Sequence, residues 1–225
     1  MALLEQFLPN VMSKTSELWQ SCGQTLYMVL ISGIIAFLIG IVFGVILTVT
    51  KRRGILQNVI VYAILDKLIN LFRSIPFVIL LTALIPFTRF VVGTAIGTNG
   101  AILPLVFGTI PFYSRQIESA LAQMNPGLVE AAESMGSSPL EIIFRIYLKE
   151  SIPALSRATT ITIISLVGLT AMAGAVGGGG LGDFAIRYGH QRNQVDVTYV
   201  TVIILLVGIS LIQGMGSWLE HKTTH

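Results

Sequence analysis

Four stretches of this chain, residues 25–50, 75–92, 152–176 and 197–218, are apolar over a length that reaches across a lipid bilayer. A fifth, 95–113, is shorter and interrupted by Pro104 and Pro111, and counts as a span with them. A hydrocarbon core about 30 Å thick takes about 20 helical residues. A segment in that core must satisfy its own backbone hydrogen bonds, which a helix does without a partner. The bulk composition agrees: 53% of residues are hydrophobic and 11% charged, with mean hydropathy +0.80, whereas soluble domains carry about 25% charged residues. The expected fold class is an all-α integral membrane protein with five transmembrane helices.

Basic residues orient such a chain, because Lys and Arg accumulate in cytoplasmic loops. Lys51, Arg52 and Arg53 follow the first span, and Lys67 and Arg73 precede the second. Arg115, Arg145, Lys149 and Arg157 surround the polar stretch 114–150, and Lys222 lies in the tail. Only Lys14, Arg89, Arg187 and Arg192 fall on the other side. This count places the N-terminus outside, the C-terminus in the cytoplasm, and 114–150 on the cytoplasmic face. The net charge of +3 fits such loops and points to no nucleic-acid partner. A single cysteine, Cys22, excludes an internal disulfide and a cysteine-based metal site. The start of the chain lacks a basic n-region and a small-residue cleavage site, so no removable signal peptide is expected.

The organisation reads as one membrane domain, 21–219, with an extracytoplasmic segment 1–20 before it and a cytoplasmic tail 220–225 after it. Residues 1–20 predict a short amphipathic helix on the outer surface, seated by Leu18 and Trp19. Ala36, Gly40 and Gly44, spaced by four, form a small-residue face for close helix contact. Residues 54–70 are apolar but punctuated by Gln57, Asn58, Asp66, Lys67 and Asn70, which suits an amphipathic approach to the membrane. Pro76 biases Ile75 away from helix, so a kink or a fresh start is expected there.

The polar stretch holds the most specific local signal. Asn125-Pro126 reads as an N-cap with proline at the first helical position. Leu128, Ala131, Ala132 and Met135 then make one apolar stripe, and Gly136 can take the left-handed conformation that ends a helix. Ser138-Pro139-Leu140-Glu141 is a capping box that starts a second helix at once. Leu140, Ile143, Phe144 and Tyr147 repeat the stripe. Two short helices at an angle around Gly136 are expected, with Glu130 and Glu133 near the positive end of the first. An ordinary amphipathic cytoplasmic hairpin would carry the same pattern.

Residues 174–182 are glycine-rich. Gly177, Gly179 and Gly182 satisfy the dinucleotide spacing G-x-G-x-x-G, but no βαβ unit surrounds them. The remaining readings are a flexible loop and an unwound end of the fourth span that lines a cavity. Under the second, a substrate path runs past Met172, Gly174, Gly177 and Ser165. Thr159, Thr160, Thr162, Ser165 and Thr170 allow back-bonding to the helix or a polar pore lining. No catalytic constellation appears, His190, His221 and His225 read as solvated, and there is no phosphate-binding G-x-x-x-x-G-K-[ST] loop.

Over residues 21–219 the chain resembles the permease subunits of methionine-type ABC importers, a binding-protein-dependent group with a type I transmembrane domain. The residues that carry the resemblance are Phe72-Arg73-Ser74-Ile75-Pro76-Phe77, Ile85-Pro86-Phe87-Thr88-Arg89, Val92-Gly93-Thr94 and Ile96-Gly97. With them stand Glu130-Ala131 through Met135-Gly136, Ala158-Thr159 with Thr162, Ala171-Met172, Gly174-Ala175-Val176-Gly177 and Gly179-Gly180-Leu181-Gly182. The family's coupling motif ends in a Leu-Pro pair, whereas here Leu148 is followed by Lys149 and the nearest proline is Pro153.

The resemblance implies a homodimeric pore subunit that is not itself an enzyme. Two ABC ATPase subunits would dock on Glu130, Ala131, Ala132, Met135, Gly136 and Leu140. A methionine-binding lipoprotein would deliver substrate outside. ATP and Mg would sit on the partner ATPase, with no cofactor and no metal in this chain. The expected function is methionine translocation across the cytoplasmic (inner) membrane. A permease for another amino acid or a quaternary amine stays open, as does a non-transporting scaffold. An ion-coupled secondary transporter usually carries ionisable groups inside its spans, and these apolar stretches contain no Asp, Glu or Lys.

Overall fold

The computed structural model describes residues 8–223. Residues 1–7 of the expected surface helix, and 224–225 of the expected tail with His225, lie outside the described residues. Among the described residues every regular element is helical.

After a single turn α1 (Pro9–Met12), helix α2 runs from Thr15 to Thr50. Residues 15–20 are therefore the first turns of the spanning helix and not a separate surface helix. Glu17 in the first turn favours the start, and no proline falls between Thr15 and Thr50. Leu18 packs against the cluster of Val11, Phe184 and Val197, while Trp19 is 76% exposed. Helix α3 (Val59–Ser74) is capped by Asn58, whose side chain accepts from the Ile60 and Val61 N–H groups at 3.2 and 3.1 Å. It stops where Ile75 becomes extended in front of Pro76.

The second apolar run, expected as one span over 75–92, is two short helices, α4 (Phe77–Ala83) and α5 (Ile85–Val92). Pro86 has no N–H to return to the carbonyl one turn back, so the helix breaks at Leu84 and restarts with proline in its first turn. Left-handed Gly93 ends α5 (φ 83°). Helix α6 (Gly97–Ala122) then leaves at 117° to it and passes beyond the expected end at Tyr113. The fourth span is α9 (Ile152–Ala173), with Pro153 harmless in its first turn. The last is α11 (Val195–Thr223). By length and composition three helices of the described residues suffice to cross a membrane, or up to four if the bent pair α5–α6 is one span.

The chain divides into two compact units, and the divisions fall within α2, α6, α9 and α11 and at Pro76. One unit holds the chain up to Ile34, Pro76–Phe107 and Ile163–Ile212. Its core is Met28, Ala101, Leu105, Leu166 and Ala173, and Asn10 is tied to Asp196 through its backbone and side-chain N–H groups, both at 3.0 Å. The other unit holds Ile35–Ile75, Gly108–Thr162 and the chain from Gln213. Here the small-residue face of α2 is occupied: a Cβ on Gly40 would meet the Tyr113 ring at 2.7 Å, and one on Gly44 would meet Ile117 at 2.5 Å. Lipid gives apolar helices no hydrophobic reason to associate, so close approach at small residues holds them.

Candidate functional site

The segment after α6 is built as its residues dictate. Helix α7 (Pro126–Ser134) has proline at its start and Asn125 as N-cap, the Asn125 side chain accepting from the Gly127 N–H at 2.9 Å. It ends in a Schellman turn: the Ser137 N–H donates to the Ala132 carbonyl and the Gly136 N–H to that of Glu133, both at 3.0 Å, with Gly136 at φ 78°. Helix α8 (Pro139–Glu141) starts one residue later with the complete capping box. The Ser138 backbone N–H, then its hydroxyl, donate to the Glu141 carboxylate at 3.0 and 2.9 Å and hold it below its ordinary value. Residues Ile142–Leu148 continue in wider π-type turns.

The two faces of this element differ from the expected stripes. Val129, Ala132, Ile142, Ile143 and Tyr147 are buried against Val49, Tyr113, Ile117 and Leu121. Leu128, Met135, Leu140 and Phe144 are 43–79% exposed. Ala132 and Tyr147 therefore anchor the element, while Ala131, Met135, Gly136, Leu140 and Glu130 lie on its exposed side. Ile142, Ile143 and Tyr147, with half-buried Ile146, share the inward face and Phe144 points outward, so the buried face is turned from the expected Leu140, Ile143, Phe144 and Tyr147 stripe. The outcome is a stiff, doubly capped pair of turns with an outward apolar surface. A cleft of about 340 Å³ flanks it, lined among others by Lys51, Arg53, Glu130, Glu133 and Tyr147. Lys149, standing at the family's proline position, is exposed and breaks nothing.

At the end of α9 the helix unwinds, as the sequence allowed. Val176 (φ −111°, ψ 21°) and Gly177 (φ 93°) leave helical geometry, and the chain restarts as α10 (Gly180–Phe184). The glycines are needed for space: a Cβ on Gly174 would lie 2.5 Å from the Asp183 nitrogen, and one on Gly182 would lie 2.2 Å from the Ala171 carbonyl oxygen. Met172 is 43% exposed and Gly177 is exposed, whereas Gly174 is buried and Ser165 half-buried. Sequence reasoning missed the two residues that hold this turn. The Gly180 N–H donates to Gln24 Oε1 and the Leu181 N–H to Thr25 Oγ1, both at 2.8 Å. Their only signal was a polar pair at the start of an apolar run. The threonines of α9 back-bond: Thr159, Thr160, Thr162 and Thr170 donate to carbonyls three or four residues earlier at 2.7–2.9 Å.

Known proteins share this arrangement. The family model described as "binding-protein-dependent transport system inner membrane component" matches residues 36–225. The chain is 50% identical over 202 residues to the probable D-methionine transport system permease protein MetI of Vibrio cholerae serotype O1, covering 90% of each. It is 44% identical to the methionine import system permease protein MetP of Bacillus subtilis (strain 168), covering 95% of this chain and 96% of that one. Among solved structures it superposes on a chain of the MetNI methionine ABC transporter in an inward-facing conformation, with TM-score 0.92 and 41% identity, covering 95% of this chain and 99% of that one. The fold is that of a type I ABC transmembrane domain. With this helical architecture and a family match over most of its length, the chain belongs to the binding-protein-dependent transport system inner membrane components.

Proposed function

We propose that this chain is the pore-forming permease subunit of an ATP-driven importer that moves methionine across the inner membrane. The membrane domain proper is 21–219, and it works as a homodimer. Two ATPase subunits dock on the exposed surface around Glu130, Ala131, Met135, Gly136 and Leu140, with Ala132 anchoring that surface from below. They bind the ATP and Mg, so this chain hydrolyses nothing and holds no cofactor. An extracytoplasmic methionine-binding lipoprotein supplies substrate, which passes Met172, Gly174, Gly177 and Ser165. The N-terminus is outside and the C-terminus cytoplasmic.

The observation that carries the reading is the doubly capped element 126–148. It leaves four large apolar side chains exposed beside the acidic Glu130 and Glu133. Burial of each such side chain against a partner is worth roughly 1.5–3 kcal/mol. Gly136 sets a fixed angle between two short helices, so a push on one moves both. Closing of the ATPases is thereby converted into reorientation of the helices, which requires contacts that differ between two states. The methionine-named relatives at 44–50% identity support that substrate.

Co-expression with the companion ATPase and binding protein, purification and reconstitution in vesicles tests the reading. Wild type is expected to co-purify with the ATPase and to take up methionine with ATP, ahead of other amino acids and quaternary amines. Glu130→Lys should stay in the membrane and lose uptake. Failure of the ATPase to co-purify, or uptake indifferent to ATP, would reject the assignment, and preference for a quaternary amine would replace the substrate.

A further inference from the structure

Helix α6 presents two faces just before it enters the docking element. Ile117 and Leu121 lie in the core beneath that element, with Val129, Ala132, Ile142, Ile143 and Tyr147. On a different face, two residues before Ile117, Arg115 reaches helix α3. Its Nη2 donates to the Asp66 carboxylate, to the Asp66 backbone carbonyl at 3.4 Å and to Asn70 Oδ1 at 3.0 Å. Its Nη1 donates to Glu118, one turn along α6, at 2.6 Å. Asn70 Nδ2 closes the ring by donating to Asp66 Oδ2 at 3.2 Å. The Arg115, Asp66 and Glu118 side chains are 18%, 28% and 17% exposed.

Such an arrangement is a poor source of stability. Two carboxylates on one guanidinium leave a net negative charge, and half-buried ions lose hydration that their attraction barely offsets. What it supplies is register. The planar guanidinium fork fixes direction as well as distance, which a lysine ammonium does not. Register matters for α3, since Ile69 is its buried residue while Val59, Ile60, Ile64, Leu68 and Leu71 face outward.

We propose that Arg115 is a positioning residue for transport: it makes α3 follow the docking element when the ATPases move that element. The apolar face of α6 receives the displacement, and the Arg115 fork hands it to Asp66 and Asn70. This rests on the reading of 126–148 as an ATPase docking element.

The two carboxylates provide the test, because they share one guanidinium but lie on different helices. Asp66→Asn breaks the ion pair between helices and keeps the one within α6; Glu118→Gln does the reverse. Both would be reconstituted in full complex with the ATPase and binding protein, alongside Arg115→Lys. Uptake, ATP hydrolysis and melting temperature would be read for each. Asp66→Asn and Arg115→Lys are expected to co-purify with the ATPase and hydrolyse ATP, with uptake per ATP lowered roughly three- to thirtyfold, the span of coupling changes of this kind. Glu118→Gln should stay near wild type. Equal effects of Asp66→Asn and Glu118→Gln would overturn the proposal. So would a parallel fall of uptake, hydrolysis and melting temperature, which marks a mere brace. If wild type itself fails to co-purify with the ATPase, the docking reading fails first and takes this inference with it.

Discussion

Gly136 and Gly182 are both glycines for reasons of backbone, and the reasons differ. Gly136 sits at φ 78° with nothing within 4 Å of an added Cβ, so a side chain there meets strain and no clash. Gly136→Asn should be tolerated, since Asn visits the left-handed region, while Gly136→Val should cost about 1–2 kcal/mol or more and uncouple transport. Gly182 has ordinary space requirements reversed: a Cβ would lie 2.2 Å from the Ala171 carbonyl oxygen. Gly182→Ala must push α10 away from α9, at roughly 1–3 kcal/mol. Thermal melting separates strain from clash through the asparagine variants: Gly136→Asn should leave the transition near wild type, whereas Gly182→Asn should lower it as Gly182→Ala does. Met172, on the exposed side of α9, belongs to the same scale. Met172→Trp should block uptake while the ATPase still docks, and undiminished uptake in that variant would place Met172 off the path.

At the scale of the element, 126–148 divides its apolar residues between anchoring and presentation. Ile142 is 1% exposed and Phe144 is 65% exposed, two positions apart. Ile142→Ala should cost this protein about 2–5 kcal/mol through the cavity it leaves. Phe144→Ala should leave melting unchanged and weaken ATPase co-purification, and the reverse pattern would show the faces misassigned. The capping box also makes the element acid-sensitive. Because the Ser138 N–H and hydroxyl hold the Glu141 carboxyl below its ordinary value of 4.5, its contribution is complete above that value. It is lost as pH falls through the lowered folded value. Glu141→Gln should remove this acid dependence, whereas Ser138→Ala, which keeps the backbone N–H, should only weaken it while costing about 1 kcal/mol of cap stability, read as the pH profile of melting or of ATPase binding below about pH 5.

For the whole molecule the testable quantity is orientation. Lys and Arg fall mostly on the side that carries 126–148, so that side should be cytoplasmic. After Cys22→Ser, a cysteine at Ser137 should react only with a membrane-permeant reagent in intact cells. One at Asn193, exposed in the turn before α11, should react with an impermeant reagent. The opposite labelling would overturn the topology, and the docking assignment with it.

Helical class, the caps at Asn125 and Ser138, the left-handed Gly136, the small-residue face of α2 and the unwinding before Gly177 were all legible in the residues. Each depends on local backbone chemistry or on hydropathy summed along the chain. Other features were decided by tertiary packing. Apolar residues occupy most positions of Ile142–Leu148, so more than one face was available, and packing on Val49, Tyr113, Ile117 and Leu121 turned Ile142 inward and left Phe144 outward. Gln24 and Thr25 became caps for a helix far along the chain. Asp66 and Asn70 read only as polar punctuation of an amphipathic stretch until α3 and α6 met around Arg115. A sequence specifies what a residue needs, a partner for a charge or a donor for a carbonyl. Which distant residue meets that need depends on how the helices pack, and that is set by contacts summed over the fold.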